Sequence, residues 1–199
     1  MENCVLVTGF EPFGGQAVNP SWLCVSSLPD MLAGVPVHQR LLPVDWEKGP
    51  ASLLSALREL RPKAVLCVGQ AGGRAALNIE RVAVNLRGGA DNTGRAQTDA
   101  PVMPDGPAAY FTTLPYTAML DALKAADILG EYSFSAGIYL CNCVMYTALH
   151  YAAEEQSGLK AGFLHVPYLP EQTRDRPSLP LAVMEQGVRL CVEAVCRNL

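Results

Sequence analysis

The sequence predicts an α/β fold: a three-layer α/β/α sandwich with a mixed, mostly parallel central sheet. Short apolar runs alternate along the chain with longer stretches of helical periodicity, which is the pattern of such a sandwich. The short runs are hydrophobic almost without interruption, which indicates strands that are buried on both faces. The 199 residues are half hydrophobic and only 17% charged. This composition predicts one domain, spanning residues 1–199, around a large core.

The predicted strands are rich in β-branched and aromatic residues. They are CVLVTGF (4–10), VPVHQRLLPV (35–44), AVLCVG (64–69), FSAGIYL (134–140) and GFLHVPYL (162–169). The segment ALNIERVAVNL (76–86) alternates apolar and polar residues, and we expect it to form an extra, partly antiparallel strand.

Helical periodicity fills the intervals between these strands. The predicted helices lie around residues 20–28, 46–60, 116–129, 141–155 and 177–197. The segment RGGADNTGRAQTDAPVMPDGP (87–107) has no hydrophobic periodicity and is rich in Gly, Asp and Pro. A stretch of this length and composition inside a compact domain predicts a functional or mobile loop.

Charge, hydropathy and cysteine usage exclude several classes of protein. The net charge of −4 leaves no basic stripe for a phosphate backbone, so we expect no nucleic-acid partner. No apolar run approaches the roughly 20 residues that cross a bilayer, and the N-terminus lacks the positive charge of a signal peptide, so we expect a cytoplasmic protein without a membrane partner. Seven cysteines then predict reduced thiols. The chain has no CxxC, HxxxH or HExxH pattern, and we expect no metal site.

Four segments should meet at one edge of the sheet, because ligands of open α/β sheets bind at the carboxyl ends of the strands. They are TGFEPFGG (8–15), GQAGGR (69–74), CNC (141–143) and HVPYLPEQ (165–172). The glycine-rich pieces match neither GxxxxGK[ST] nor GxGxxG followed by a helix, which argues against a nucleotide site.

Three residues in or near these segments could carry nucleophilic chemistry. Cys141 lies at a predicted helix start, where the helix dipole lowers the pKa of a thiol, although its position beside an apolar run, taken alone, favours a buried core cysteine. Cys143 should point away from Cys141 on the helix. His165 is the histidine at a strand end, and Glu80 in an apolar strand needs a partner such as a histidine. Each residue on its own also fits a structural role.

The aromatic and amide side chains near the sheet edge suggest a pocket for a small planar ligand. Phe10 and Phe13 could form its walls, with Asn19 and Gln70 as hydrogen-bonding groups. Taken alone, the two phenylalanines also fit the hydrophobic core.

Four blocks together resemble the pyroglutamyl peptidase I (pyrrolidone-carboxylate peptidase) family of cysteine peptidases. The blocks are VTGFEPFGGQAVNPSW (7–22), VGQAGGRAALNIERVAVNL (68–86), SAGIYLCNCVMY (135–146) and FLHVPYLPEQ (163–172). The resemblance covers nearly the whole chain in order and spacing. It implies a cytosolic homodimer or homotetramer that removes the N-terminal pyroglutamyl residue from peptide substrates and needs no cofactor.

The resemblance also assigns roles to particular residues. It implies that Cys141 is the nucleophile that forms a thioester, that His165 is its base and that Glu80 orients the imidazole. The substrate-binding residues that it implies are Phe10, Phe13, Asn19, Gln70 and Tyr139. Cys143 has no part in the family pattern.

One region departs from that pattern. Family members usually carry an Arg-Ile-Pro-like stretch before an Asp-Asn pair, whereas this chain reads NLRGGADNTG (85–94), about two residues shorter. Arg87 could replace part of the missing charge. The departure leaves open a second hypothesis, a catalytically weakened relative that binds pyroglutamyl or lactam ligands. A third hypothesis, a phosphate-using α/β enzyme, rests on glycine content alone.

Overall fold

The computed structural model describes residues 2–155 and 158–199. Its strands are β1 (Glu2–Phe10), β2 (Met31–Leu32), β3 (Val35–Leu42), β4 (Pro62–Gln70), β5 (Leu77–Glu80), β6 (Val82–Val84), β7 (Arg87–Ala90), β8 (Ala96–Ala100), β9 (Ala109–Phe111), β10 (Gly130–Ser133) and β11 (Lys160–Val166). Its helices are α1 (Pro20–Ser26), α2 (Lys48–Leu60), α3 (Tyr116–Ala125), α4 (Leu140–Glu154) and α5 (Leu181–Cys196).

Seven strands form the central sheet in the order β10-β5-β11-β4-β1-β3-β2. The pairs β1/β3, β1/β4, β4/β11 and β5/β10 are parallel, whereas β5/β11 and β2/β3 are antiparallel. The predicted mixed, mostly parallel sheet is therefore confirmed. The predicted segment 76–86 divides into β5, which joins this sheet partly antiparallel, and β6, which pairs with β9 in a separate ribbon.

The helices cover both faces of the sheet and produce the three predicted layers. Helices α1, α3 and α5 pack on one face, and α2 and α4 pack on the other. Strand β1 shows why its sequence is continuously apolar: Val5 and Val7 belong to the first core, whereas Leu6 between them belongs to the second. Within the residues that the structure describes, no helix has the length and apolar character needed to cross a membrane.

The strand predicted at 134–140 is wrong. The strand in this region is β10, which ends at Ser133, and a turn-rich segment follows before α4 begins at Leu140. Gly137 has a φ of +73°, and its N–H donates to the hydroxyl of Ser135 at 3.3 Å. This local turn chemistry outweighs the β-propensity of the aromatic and branched residues around it.

The predicted loop at 87–107 contains an ordered hairpin of β7 and β8, which pair antiparallel. Asp91 closes its turn, because its Oδ1 accepts hydrogen bonds from the N–H groups of Thr93 and Arg95 at 2.9 and 3.0 Å. Most side chains of the hairpin are exposed. It therefore lacks the hydrophobic alternation by which strands are predicted from sequence.

Candidate active site

The four predicted segments converge on one cleft of about 360 Å³ at the carboxyl ends of β1, β4 and β11. Seven of the eight predicted site residues line it: Phe10, Phe13, Asn19, Gln70, Tyr139, Cys141 and His165. The eighth, Glu80, is fully buried and contacts His165. Residues that are far apart in the chain thus form a single site.

Cys141 is the second residue of α4 and is partly exposed at the cleft. Cys143 is buried in the core between α4 and the sheet, as the helical spacing predicts. The thiol of Cys141 lies close to β4 at Gly69, where an added Cβ would be only 2.8 Å from Sγ. The absence of a side chain at Gly69 therefore makes room for the thiol.

His165 and Glu80 form a buried pair across two strands. His165 of β11 lies directly opposite Asn78 of β5, so Glu80 is two residues further along β5 on the same face of the sheet. The imidazole Nδ1 is 2.7 Å from the carboxylate Oε1 of Glu80. An Nδ1–H that donates to this carboxylate leaves Nε2 as the basic nitrogen.

Arg74 is a charged residue of this site that the sequence analysis did not select. Its guanidinium Nη1 is 2.6 Å from Oε1 of Glu80, and its Nη2 donates to the carbonyl of Ser135 at 2.9 Å. Arg74 also lines the cleft beside Cys141 and His165. The available signal was a lone basic residue in GQAGGR at a strand end, six residues before Glu80.

Burial and charge set the protonation states of the site. Burial alone would raise the pKa of Glu80, but the hydrogen bond from the His165 imidazole and the positive charge of Arg74 lower it. Burial lowers the pKa of His165 despite the opposing effect of Glu80. Burial and the charge of Glu80 raise the pKa of Cys141 to about 12.

These directions favour an uncharged thiol beside an uncharged imidazole in the free protein. The position of Cys141 at a helix start predicts that the helix dipole lowers the pKa of its thiol. In the structure, burial and the neighbouring carboxylate outweigh that contribution. A nucleophilic role for this sulfur would therefore require a base that removes its proton.

The start of α4 is held in place by the residue next to the cysteine. The buried side chain of Asn142 accepts from the N–H of Val84 at 2.9 Å and donates to the carbonyls of Val84 and Leu86 at 2.9 and 2.8 Å. Tyr139, the N-cap, makes no side-chain hydrogen bond to the helix. The first N–H groups of α4 have no partner within the helix and are suited to bind negative charge.

Two aromatic side chains shape the apolar wall of the cleft near its mouth. Phe13 lies with its ring centroid 6.2 Å from that of Tyr139, and the Tyr139 hydroxyl donates to the carbonyl of Ala90 at 2.8 Å. Phe10 lies deeper and is buried. The β7–β8 hairpin therefore supports the cleft through Tyr139, although the hairpin itself lies outside it.

The two predicted amide residues differ in the groups they can offer a ligand. Asn19 caps α1: its Oδ1 accepts from the N–H and the hydroxyl of Ser21, and its Nδ2 donates to the carbonyl of Glu11 at 3.0 Å. A single N–H of Asn19 remains. Gln70 accepts one hydrogen bond from Gln172 at 3.1 Å, which leaves its own amide N–H groups unused by that contact.

Arg87 does not take the place of the missing arginine in the cleft. It is not among the cleft residues. Burial raises the pKa of the Cys143 thiol to about 11, and the charge of Arg87 offsets part of that effect. The positive side chain that does line the cleft is Arg74. Across residues 2–155 and 158–199, no three His, Cys, Asp or Glu side chains are grouped so as to hold a metal ion.

An α/β/α sandwich with a thiol, an imidazole and a carboxylate gathered at one cleft is typical of cysteine-dependent hydrolases, and the chain falls in that class. Within it, the chain belongs to the pyroglutamyl peptidase family, whose profile matches residues 3–198.

Named relatives agree with this assignment. The chain is 44% identical over 192 residues to a pyrrolidone-carboxylate peptidase of Yersinia pestis, covering 95% of this chain and 89% of that protein. A solved variant of pyrrolidone carboxyl peptidase from the hyperthermophile Pyrococcus furiosus superposes with a TM-score of 0.94 at 38% identity, covering 98% of this chain and 99% of that one. Pyroglutamyl peptidase I from Bacillus amyloliquefaciens superposes with a TM-score of 0.94 at 35% identity, covering 98% and 96%.

Proposed function

We propose that this protein is a cysteine peptidase that hydrolyses the amide bond after an N-terminal pyroglutamyl residue, with Cys141, His165 and Glu80 as its catalytic triad. The observation that carries the proposal is that a partly exposed thiol, Cys141, and a buried His165–Glu80 pair lie at one cleft. In this pair, Nδ1 of His165 is 2.7 Å from Oε1 of Glu80. Family membership supplies the reaction class and the substrate.

The first half of the reaction forms a thioester. Nε2 of His165 takes the proton of the Cys141 thiol as the sulfur attacks the exocyclic carbonyl carbon of the pyroglutamyl residue. The negative charge on the carbonyl oxygen is stabilised by N–H groups at the start of α4. His165 then gives its proton to the departing peptide amine, and the carbon–nitrogen bond breaks. Glu80 keeps the imidazole oriented and stabilises its protonated form.

The second half releases the product. His165 takes a proton from a water molecule as the water attacks the thioester carbonyl, and the carbon–sulfur bond breaks. Pyroglutamate leaves and the thiol recovers its proton. The neutral thiol and imidazole of the free protein are thereby restored, and no external cofactor enters the balance.

The cleft suits an uncharged lactam ring. We assign the ring to the space between Phe10 and Phe13, near Tyr139, with an amide N–H of Gln70 donating to the lactam carbonyl. Asn19 contributes its one remaining N–H and mainly holds the loop before α1. A free N-terminal glutamate would have to bury both an ammonium and a carboxylate in this mostly apolar cleft, which disfavours it relative to the uncharged ring.

The test is hydrolysis of a pyroglutamyl fluorogenic amide by the wild type and two matched cysteine variants. We expect Cys141→Ala to lower kcat/KM by about 10⁴-fold or more, because the nucleophile is lost. Cys143→Ala, two residues along the same helix, should stay near the wild-type rate. Equal rates for the wild type and Cys141→Ala would refute the proposal. Binding of pyroglutamate without any turnover would instead establish the weakened-relative hypothesis.

Association into a homodimer or homotetramer is a further part of the proposal. Several large apolar side chains are exposed on the isolated chain, among them Phe134 (68% exposed), Phe111 (67%) and Leu129 (55%). Exposed apolar groups of this size are suited to contacts between subunits. Sedimentation equilibrium should give a mass of two or four chains, and a monomer at micromolar concentration would contradict this.

We also propose that the enzyme acts in the cytoplasm and that residues 1–199 form one domain. The support is a nucleophilic thiol that must stay reduced, and a family profile that spans 3–198. Cell fractionation and limited proteolysis test the two statements.

A further inference from the structure

Arg74 occupies a junction between the two halves of the catalytic site. Its Nη1 is 2.6 Å from Oε1 of Glu80, the same oxygen that lies 2.7 Å from Nδ1 of His165. Its Nη2 donates at 2.9 Å to the carbonyl of Ser135, in the segment that leads directly into α4 and Cys141. One guanidinium thus connects the imidazole side of the site to the thiol side.

The burial of the two partners shows that this contact differs from an ordinary surface ion pair. The Glu80 side chain is fully buried, whereas the Arg74 side chain is 31% exposed at the cleft. A buried carboxylate needs compensating positive charge, and His165 in its neutral form does not supply it. Arg74 therefore supplies the positive charge beside Glu80 that is present in every step of the reaction.

The segment that Arg74 anchors has little regular structure of its own. Residues 134–139 join β10 to α4, and Phe134, Ser135, Gly137 and Ile138 are exposed. Ala136 and Gly137 of this segment line the cleft. A fixed hydrogen bond at Ser135 restrains the path of the chain just before the nucleophile.

We propose that Arg74 is a positioning residue of this enzyme: it locks Glu80 and the segment before α4 into one network, and so fixes His165 relative to the thiol of Cys141. The inference rests on the proposed peptidase function and adds a fourth residue to its machinery. Arg74 acts through Glu80 and through the backbone at Ser135.

The position of Arg74 also has an electrostatic consequence. Its positive charge opposes protonation of His165 and favours ionisation of Cys141. Other titratable groups that face this region are Glu80 of β5, Glu131 and Tyr132 of β10, Tyr139 before α4, Tyr168 after β11, and Cys67 of β4 next to Cys141. Removal of the cation leaves the negative charge of Glu80 without this partner, so both the imidazole and the thiol should hold their protons to higher pH.

The experiment compares two Arg74 variants that separate the positive charge from the ability to hydrogen-bond to Glu80 and Ser135 at the same time. Arg74→Gln keeps an N–H donor but loses the charge, and Arg74→Lys keeps the charge but cannot donate to Glu80 and Ser135 at once with the fork geometry of a guanidinium. Arg40→Gln is the matched control, because Arg40 pairs with Glu59 and both are exposed. The first measurement is kcat and KM for a pyroglutamyl fluorogenic amide from about pH 5 to about pH 10. The second is the rate at which iodoacetamide alkylates Cys141, with the modified residue identified by peptide mass spectrometry.

We expect Arg74→Gln to lower kcat about tenfold or more at neutral pH and to move the acid limb of the profile upward by about one pH unit. Arg74→Lys should lower the maximal kcat without moving the limb. Alkylation of Cys141 should shift to higher pH in the Gln variant only. Arg40→Gln should match the wild type in every measurement.

A folded Arg74→Gln protein with a wild-type pH profile and kcat would overturn the inference. If the Gln variant shows no cooperative thermal unfolding, Arg74→Lys decides: a lowered kcat at unchanged KM supports the network, and wild-type kinetics refute it. The wild-type rate separates the two proposals, because an inactive wild type refutes the peptidase function itself, whereas an active wild type with insensitive Arg74 variants refutes only this inference.

Discussion

Gly69 illustrates how a single residue of the scaffold makes room for the thiol of Cys141. It lies in β4, where the thiol of Cys141 and the ring of Phe163 both approach the strand. A Cβ at this position would lie 2.8 Å from Sγ and 2.7 Å from Cζ of Phe163. Both distances are too short for van der Waals contact, so any side chain here must displace the thiol, the ring or the strand.

We therefore predict that Gly69→Ala lowers kcat/KM by about 10²-fold, the effect expected when a reacting group is misplaced by about 1 Å. Gly187→Ala is the matched control, because its Cβ would lie 2.5 Å from Cδ2 of Leu77, in the core and away from the cleft. The control should lose thermal stability but keep kcat. Steady-state kinetics and thermal unfolding of both variants test this, and wild-type activity in Gly69→Ala would contradict it.

At the level of elements, α4 is the part of the fold that presents Cys141, the proposed nucleophile, and its first turn is fixed by Asn142. The amide of this residue makes three hydrogen bonds to the backbone of Val84 and Leu86, and it is completely buried. These bonds tie the helix start to β6 and the residues after it. The thiol of Cys141 is therefore held by a neighbour with no chemistry of its own.

We predict that Asn142→Ala lowers the free energy of unfolding by about 2–4 kcal/mol, because buried backbone groups lose their partners. Its activity should also fall, since the start of α4 is released. Asn92→Ala is the control: it removes two hydrogen bonds to Glu11 and Pro12 at an exposed site, and should cost about 1 kcal/mol or less. Urea unfolding measures both, and equal losses in the two variants would contradict the account.

The elements that could be predicted from the sequence are those that the core defines. Strands such as β1 and β4 are buried on both faces, so hydrophobicity alone locates them. The segment 134–140 was predicted wrongly because its turn at Gly137 depends on a backbone conformation that composition does not reveal. The hairpin at 87–100 was not predicted, because most of its side chains are exposed and its strands therefore lack hydrophobic alternation.

The residues of the candidate site also differ in whether the sequence alone could identify them. Cys141, His165 and Glu80 could be selected because each is a reactive or ionisable group in an apolar or strand-end setting, and the resemblance of four blocks joined them. Arg74 could not, since its role depends on a carboxylate six residues away that only the folded chain brings within 2.6 Å.

For the whole molecule, buried titratable groups predict a stability that depends on pH in both directions. Burial lowers the pKa of His165, so below its ordinary value of about 6.5 the unfolded chain binds more protons than the folded one. Hydrogen bonds from backbone N–H groups lower the pKa of Asp45, and the groups that contact Glu80 lower the pKa of its carboxyl. Stability should therefore fall as the pH drops below about 6.5, and again below about 4.5.

At alkaline pH, the buried thiols make stability depend on pH. Burial raises the pKa values of Cys24, Cys67 and Cys191 to about 12. Above their ordinary value of about 8.5, the unfolded chain loses these protons while the folded chain keeps them, so stability falls as pH rises.

We predict a maximum in the free energy of unfolding between about pH 6.5 and 8.5, with losses on both sides. Urea unfolding at constant ionic strength, from acid to alkaline pH, measures the curve. A free energy that is flat or rising from pH 7 to 10 would contradict the burial of the thiols, and one that is flat or rising from pH 7 to 5 would contradict the burial of His165.

The proposed function requires that Cys141, of the seven cysteines, attacks the pyroglutamyl carbonyl. A pyroglutamyl chloromethyl ketone tests this, because its ketone carbonyl would bind where the substrate carbonyl binds, with the alkylating chloromethyl carbon next to it. Peptide mass spectrometry after partial labelling gives the modified residue, and the residual activity gives its consequence. We expect one label per chain, on Cys141, with activity lost in proportion to labelling and with protection by pyroglutamate. Full labelling of Cys141 with activity intact, or inactivation by a label on another cysteine, would contradict it.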